Sequence, residues 1–159
     1  MKALIVYYTM FGNTEKIAVS LAEGLTSGGV DCKVVKAEEV KSDGLGEFDL
    51  LCVGSPVHAW NVSKPIREFL ENLKNAKGLA GKKAFAFDTK ARSRLAGDAA
   101  GKIERKLKAM GFVVLKTHMS AIVLGRQGPL EEGTESKFKQ LGLEMAKSLQ
   151  SSERARTSN

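Results

Sequence analysis

YYTMFGNTEKIA, residues 7–18, joins an apolar run to an amphipathic one through a loop of small hydrogen-bonding residues. Upstream, residues 3–8 (ALIVYY) are almost continuously apolar, the pattern of a strand buried on both faces. Downstream, Ile17, Leu21 and Leu25 recur at helical spacing, and Gly28 and Gly29 end the segment. A buried strand that turns directly into a helix is the βα unit of a parallel sheet. The turn's backbone N–H groups, the hydroxyls of Thr9 and Thr14 and the amide of Asn13 suit a phosphate at the positive end of the helix. No Lys follows Gly12, so the GxxxxGK[ST] nucleotide loop is not matched, and GxGxxG is absent.

The same alternation continues along the chain. Strand-like runs stand at 32–37, 49–55, 83–89 and 113–123. Helical stripes follow Ser63 (Ile66, Phe69, Leu70, Leu73, with Pro65 in the first turn), Asp98 (Ile103, Leu107, Met110) and Thr134 (Phe138, Leu141, Met145, Leu149). Asp98 and Thr134 are expected N-caps. The prediction is an α/β fold, a five-stranded parallel sheet with helices on both faces. It occupies residues 1–150 as a single domain, and the polar residues 151–159 form a frayed tail.

Composition narrows the function classes. A net charge of +7 favours anionic partners without choosing among nucleic acid, acidic protein and small anion. Cys32 and Cys52 lie far apart in apolar runs, with no CxxC or Cys/His spacing, which argues against a zinc site or redox dithiol. The N-terminal apolar run is too short for a secretory signal, and no stretch reaches the length of a membrane span. A soluble cytoplasmic protein is expected. A receiver-type phospho-acceptor is excluded, because the third strand ends in Gly54-Ser55 and the first in Tyr8-Thr9, where that chemistry needs acids.

In open doubly wound sheets the ligand sits beyond the C-terminal ends of the strands. Three loops occupy those ends: 9–14, 55–64 and 88–97. The second holds the only tryptophan, Trp60, between His58 and Asn61. A Trp in a polar loop offers a stacking surface for a flat ring, where the plainer reading makes it an edge of the core. His58 is a weaker candidate, since a lone His more often packs or faces solvent. His118 is expected to be structural, and Lys102, Arg105, Lys106 and Lys108 to form the wet face of their helix.

TMFGNTEKIA after a buried strand, SPVHAWNVSKPIREFL after DLLCVG, and FDT before a Gly-containing loop together resemble the flavodoxin family, in its short-chain form. The late stretch 128–149 resembles the family's closing segment, so the likeness spans residues 1–150. The resemblance implies a three-layer sandwich with strand order 2-1-3-4-5 and a bound flavin mononucleotide (FMN). Its phosphate would lie on Thr9, Met10, Phe11, Gly12, Asn13 and Thr14. Its ring would lie between Ser55, Pro56, Val57, His58, Ala59, Trp60 and Asn61 on one side and Thr89, Lys90, Ala91 and Gly97 on the other. The implied function is electron transfer to or from partner redox proteins. A small FMN-dependent NAD(P)H or quinone oxidoreductase, and a module without cofactor, are the alternatives.

Three departures from the family pattern carry expectations. The third loop, TKARSRLAG, has no aromatic residue to stack on the ring. The second loop has no Gly, so a peptide flip that accepts a hydrogen bond from the reduced ring would strain Ala59 or Trp60, and Asn61 would tolerate it better. Flavodoxins are usually acidic. Here Lys64, Arg67, Lys90, Arg92 and Arg94 fall on or near the ring loops, which suits acidic partners and disfavours an ordinary low-potential carrier.

Overall fold

The computed structural model describes residues 1–159. Its strands are β1 (Lys2–Tyr7), β2 (Asp31–Lys36), β3 (Leu50–His58), β4 (Asn61–Val62), β5 (Lys83–Ala91), β6 (Val113–Val114) and β7 (Met119–Val123). Its α-helices are α1 (Asn13–Ser27), α2 (Lys64–Leu73), α3 (Ala99–Ala109) and α4 (Thr134–Thr157). The backbone of the sheet is β2-β1-β3-β5-β6, all parallel, with β7 also parallel to β5. This is the expected order 2-1-3-4-5, drawn with seven strands instead of five.

Two local causes account for the extra strands. The run at 113–123 leaves the sheet in its middle, because the His118 N–H goes to the Glu104 carboxylate (2.8 Å) and not to a strand. β4 arises where β3 doubles back, pairing Val57 with Val62 and His58 with Asn61.

Alternating residues of the buried strands feed two cores, as their continuous apolar runs require. Ile5, Leu50, Cys52, Phe85 and Phe87 face α1 and α4, against Ile17, Leu21, Leu25, Phe138, Leu141 and Met145. Leu4, Val6, Leu51, Val53, Ala84 and Ala86 face α2 and α3, against Ile66, Phe69, Leu70, Leu73, Ile103 and Leu107. On the first side α1 and α4 touch backbone to backbone, since a Cβ on Gly24 would strike the Lys139 carbonyl and one on Gly142 the Leu21 carbonyl.

Asp98 caps α3, its Oδ1 accepting from the Gly101 N–H at 2.8 Å. Thr134 instead opens α4 with its hydroxyl donating to the Glu131 carbonyl, and Gly133 stands at the cap. The residues expected as a frayed tail carry α4 on to Thr157. Ser151, Ser152 and Thr157 donate back to carbonyls of the previous turn, while the side chains beyond Ser152 are exposed. No helix is long and apolar enough to cross a membrane.

Candidate functional site

The C-terminal ends of β1, β3, β5 and β7 surround one cavity of about 360 Å³, within the usual range for small-ligand pockets. Its wall is built by Thr9, Met10, Phe11, Asn13 and Thr14, by Pro56, Val57, His58 and Ala59, and by Thr89, Lys90 and Ala91. The three loops singled out in the sequence therefore meet in space. Val123, Gly125 and Arg126 complete the wall from a fourth segment that the sequence reading did not include.

The first loop is held open by its own side chains. Gly12 takes a left-handed conformation (φ 93°) at the start of α1, and its N–H donates to Thr9 Oγ1 at 2.9 Å. The Thr14 hydroxyl shares a buried 2.8 Å hydrogen bond with Thr89. Asn13 Nδ2 donates to the Gln127 carbonyl at 3.1 Å. The N–H groups of Met10, Phe11, Asn13, Thr14 and Glu15 meanwhile donate to no backbone carbonyl. They are the orphan donors of a helix start, and they suit a phosphate.

The second loop is a two-residue hairpin turn. Ala59 (φ 46°) and Trp60 (φ 63°) both have positive φ, the pattern of a type I′ turn. The strain falls on these two residues and not on Asn61, whose Oδ1 accepts from the Val62 N–H. Ser55 sits beneath the turn, fully buried, and accepts from the Ser63 N–H (3.0 Å) at the start of α2. Trp60, next to the wall residue Ala59, is not itself part of the cavity wall and has 67% of its surface exposed. Lys102 bonds the Trp60 carbonyl (3.2 Å) and Asn61 Oδ1 (3.4 Å), so this lysine braces the turn and is not merely part of a wet face. His58 lines the cavity with its ring edge-on to Tyr8, 6.0 Å between centroids.

The third loop is fastened at both ends. Asp88 Oδ2 accepts from the Ala100 N–H at 2.9 Å, and Gly97 lies against the backbone of Trp60. Lys90 reaches across the loop, Nζ to the Gly97 carbonyl at 3.4 Å. Arg92 pairs with Glu131. His118 and Glu104 are bonded to each other (3.1 Å) behind α3, the structural use expected of that histidine.

Burial sets two acidities. It pushes the Tyr7 hydroxyl up to about 12, with the Glu15 carboxylate adding to it. It also raises the carboxyl of Asp88, whose Oδ1 has no hydrogen-bond partner. A raised carboxyl binds its proton more tightly folded than unfolded. Stability therefore falls as pH climbs from the unfolded value, about 3.9, through the raised folded value. Asp88→Asn keeps an oxygen for the Ala100 N–H and removes the buried charge. The variant should be the more stable protein at pH 7, with the gap closing below about pH 4 in urea titrations. A gap that persists unchanged at pH 3 would show that charge is not the cause.

Comparison with known proteins places this geometry. A family model described as flavodoxin matches residues 5–140. The structure of a flavodoxin from the domain Archaea superposes with a TM-score of 0.81 at 28% identity, covering 94% of this chain and 99% of that one. Flavodoxin 1 of Bacillus cereus superposes at 0.80 with 21% identity, covering 92% and 98%. A curated relative described as an NAD(P)H dehydrogenase (quinone), from Sinorhizobium fredii, is 28% identical over 113 residues; the match covers 57% of each chain.

Proposed function

The chain belongs to the flavodoxin family, and from that membership we propose the reading its cavity supports best: an FMN-binding redox protein that passes electrons to and from partner redox proteins. The observation that carries it is the first loop, where the backbone N–H groups of Met10, Phe11, Asn13 and Thr14 are free of backbone partners on the wall of a cavity of cofactor size. Bound FMN supplies the electron-carrying chemistry, and the protein supplies binding, orientation and electrostatics. Thr9, Met10, Phe11, Asn13 and Thr14 hold the phosphate, and Gly12, whose N–H is taken by Thr9 Oγ1 and which lies off the cavity wall, gives the loop its bend. Pro56, Val57, His58, Ala59, Thr89, Lys90 and Ala91 hold the ring, with Trp60 covering it from the rim. Ser55, Asn61 and Gly97 fix the shape of the slot from behind.

The rim suggests the partner. Met10, Phe11, Trp60, Leu95 and Leu124 are exposed apolar residues at this edge of the sheet, and Lys90, Arg94, Lys102 and Arg126 lie among them. An apolar centre ringed by cations suits an acidic redox protein. The protein acts in the cytoplasm on this reading.

Thr14→Val tests the phosphate assignment. FMN affinity should fall by about 1.5–3 kcal/mol, the range for hydrogen bonds to charged groups. Riboflavin, which lacks the phosphate, should bind both proteins equally. Loss of the Thr89 partner should also cost about 1 kcal/mol of stability. Unchanged FMN affinity removes Thr14 from the site. The likeness to the quinone-type dehydrogenase supports a second reading, an NAD(P)H or quinone oxidoreductase. Rapid oxidation of NADH or NADPH by the isolated holoprotein would favour it. A colourless protein that leaves FMN fluorescence unquenched would overturn both.

A further inference from the structure

The segment after β7 is the wall of the cavity with no part in the three-loop site. It is a hairpin: the Glu131 N–H donates to the Ile122 carbonyl (2.8 Å) and the Leu124 N–H to the Pro129 carbonyl (2.9 Å). Its tip, residues 125–128, rests on the first turn of α1 through the hydrogen bond from Asn13 to the Gln127 carbonyl. Its root is tied to the third loop by the Arg92–Glu131 pair. Arg126, one residue from the Asn13 contact, thereby comes to line the cavity, exposed and with no ion-pair partner. No other cation serves this end. The loop from Thr9 to Thr14 has none, and Lys16 lines a separate groove toward α4. Lys90, the cavity's second cation, is bonded at the ring end to the Gly97 carbonyl.

We propose that Arg126 is the counter-charge of the flavin phosphate, and that the hairpin bearing it makes the site selective for the phosphorylated flavin. The proposal rests on the FMN reading above. A phosphate monoester carries a charge of about −1.5 to −2 at neutral pH. Neutral N–H donors bond to that charge without cancelling it. A guanidinium does both, and its planar fork matches two phosphate oxygens at once. Docking of Gln127 on Asn13 fixes the arm, so the arginine is presented before the ligand arrives. Riboflavin gains nothing from it.

Fluorescence titrations of the cofactor-stripped protein with FMN and with riboflavin test this. Arg126→Gln should weaken FMN by about tenfold to a hundredfold, the range for a charge-assisted hydrogen bond, and leave riboflavin unchanged. Arg126→Lys should recover much of the loss, because charge is what matters. FMN affinity should fall with added salt in the wild type, and less steeply in Arg126→Gln. Equal losses for both flavins would make Arg126 a shape element of the cavity and overturn the proposal, as would unchanged FMN affinity. A wild type that binds riboflavin as tightly as FMN overturns the counter-charge while leaving the flavin site standing. A wild type that binds neither flavin overturns the flavin reading and this inference together.

Discussion

Gly97→Ala should weaken FMN and riboflavin together and destabilise the protein by roughly 2–5 kcal/mol. Two costs combine at this position. The backbone has φ +95°, a left-handed conformation that costs an L side chain roughly 1–2 kcal/mol. A Cβ would also lie 2.8 Å from Trp60 Cα and 2.9 Å from its carbonyl oxygen, both backbone atoms with little room to yield. Overpacking of that kind typically costs a further 1–3 kcal/mol. Gly97 is the point where the third loop touches the hairpin turn, so the Cβ pries apart the two walls meant for the ring. The phosphate loop is untouched, which is why both flavins should suffer alike, in contrast to Thr14→Val. Urea unfolding gives the stability, and flavin fluorescence gives the affinities. An alanine variant with wild-type riboflavin affinity would show that the loop contact does not shape the ring slot.

The three loops were legible because each is a local pattern: a buried strand, a break in apolar character, then a helix stripe. The fold order needed nothing more than that alternation and the family likeness. What escaped was set by contacts between residues distant in sequence. Nothing in VVLKTHMSAIV tells that a carboxylate 14 residues earlier in the chain will take the His118 N–H and split the strand. Lys102 reads as one more solvated cation until the turn of Ala59 and Trp60 is seen to lie above it. The hairpin that carries Arg126 did leave a signal. Gly125, Gly128 and Pro129 punctuate LGRQGPL as turn residues do. The signal marks a loop without saying that the loop folds back onto Asn13. Trp60 was legible as an unusual residue, and the structure leaves it exposed in the hairpin turn, a placement that a sequence cannot specify.

Stepwise reduction of the holoprotein should leave little flavin at the one-electron level, with the two electrons entering at nearly one potential. The first reason is charge. The fully reduced ring is an anion at neutral pH, and cations near it ease the second electron. Of the five basic residues read from the sequence, Lys64 and Arg92 are paired, with Glu68 and Glu131. Lys90 stays on the cavity wall at the ring end, held by the Gly97 carbonyl. One positive charge ~10 Å away is worth ~0.4 kcal/mol in bulk water and ~1.7 kcal/mol at an effective dielectric of ~20. That is roughly 20–70 mV for a one-electron step, trimmed by salt where the charge is exposed. The second reason is the turn. With Ala59 and Trp60 both at positive φ, flipping their shared peptide converts a type I′ turn into type II′, which wants Gly at its first central position. Ala59 occupies that position, at a cost of roughly 1–3 kcal/mol. The flip that would offer a carbonyl to the reduced ring is therefore opposed. Ala59→Gly removes the opposition and should raise the one-electron fraction at half reduction, whereas neutralising Lys90 should act through the potential of the second step. Dithionite titration followed by absorbance reads both. A wild-type protein that holds most of its flavin as the blue one-electron form at half reduction would sink the argument, because neither the cations nor the turn would then be governing the second electron.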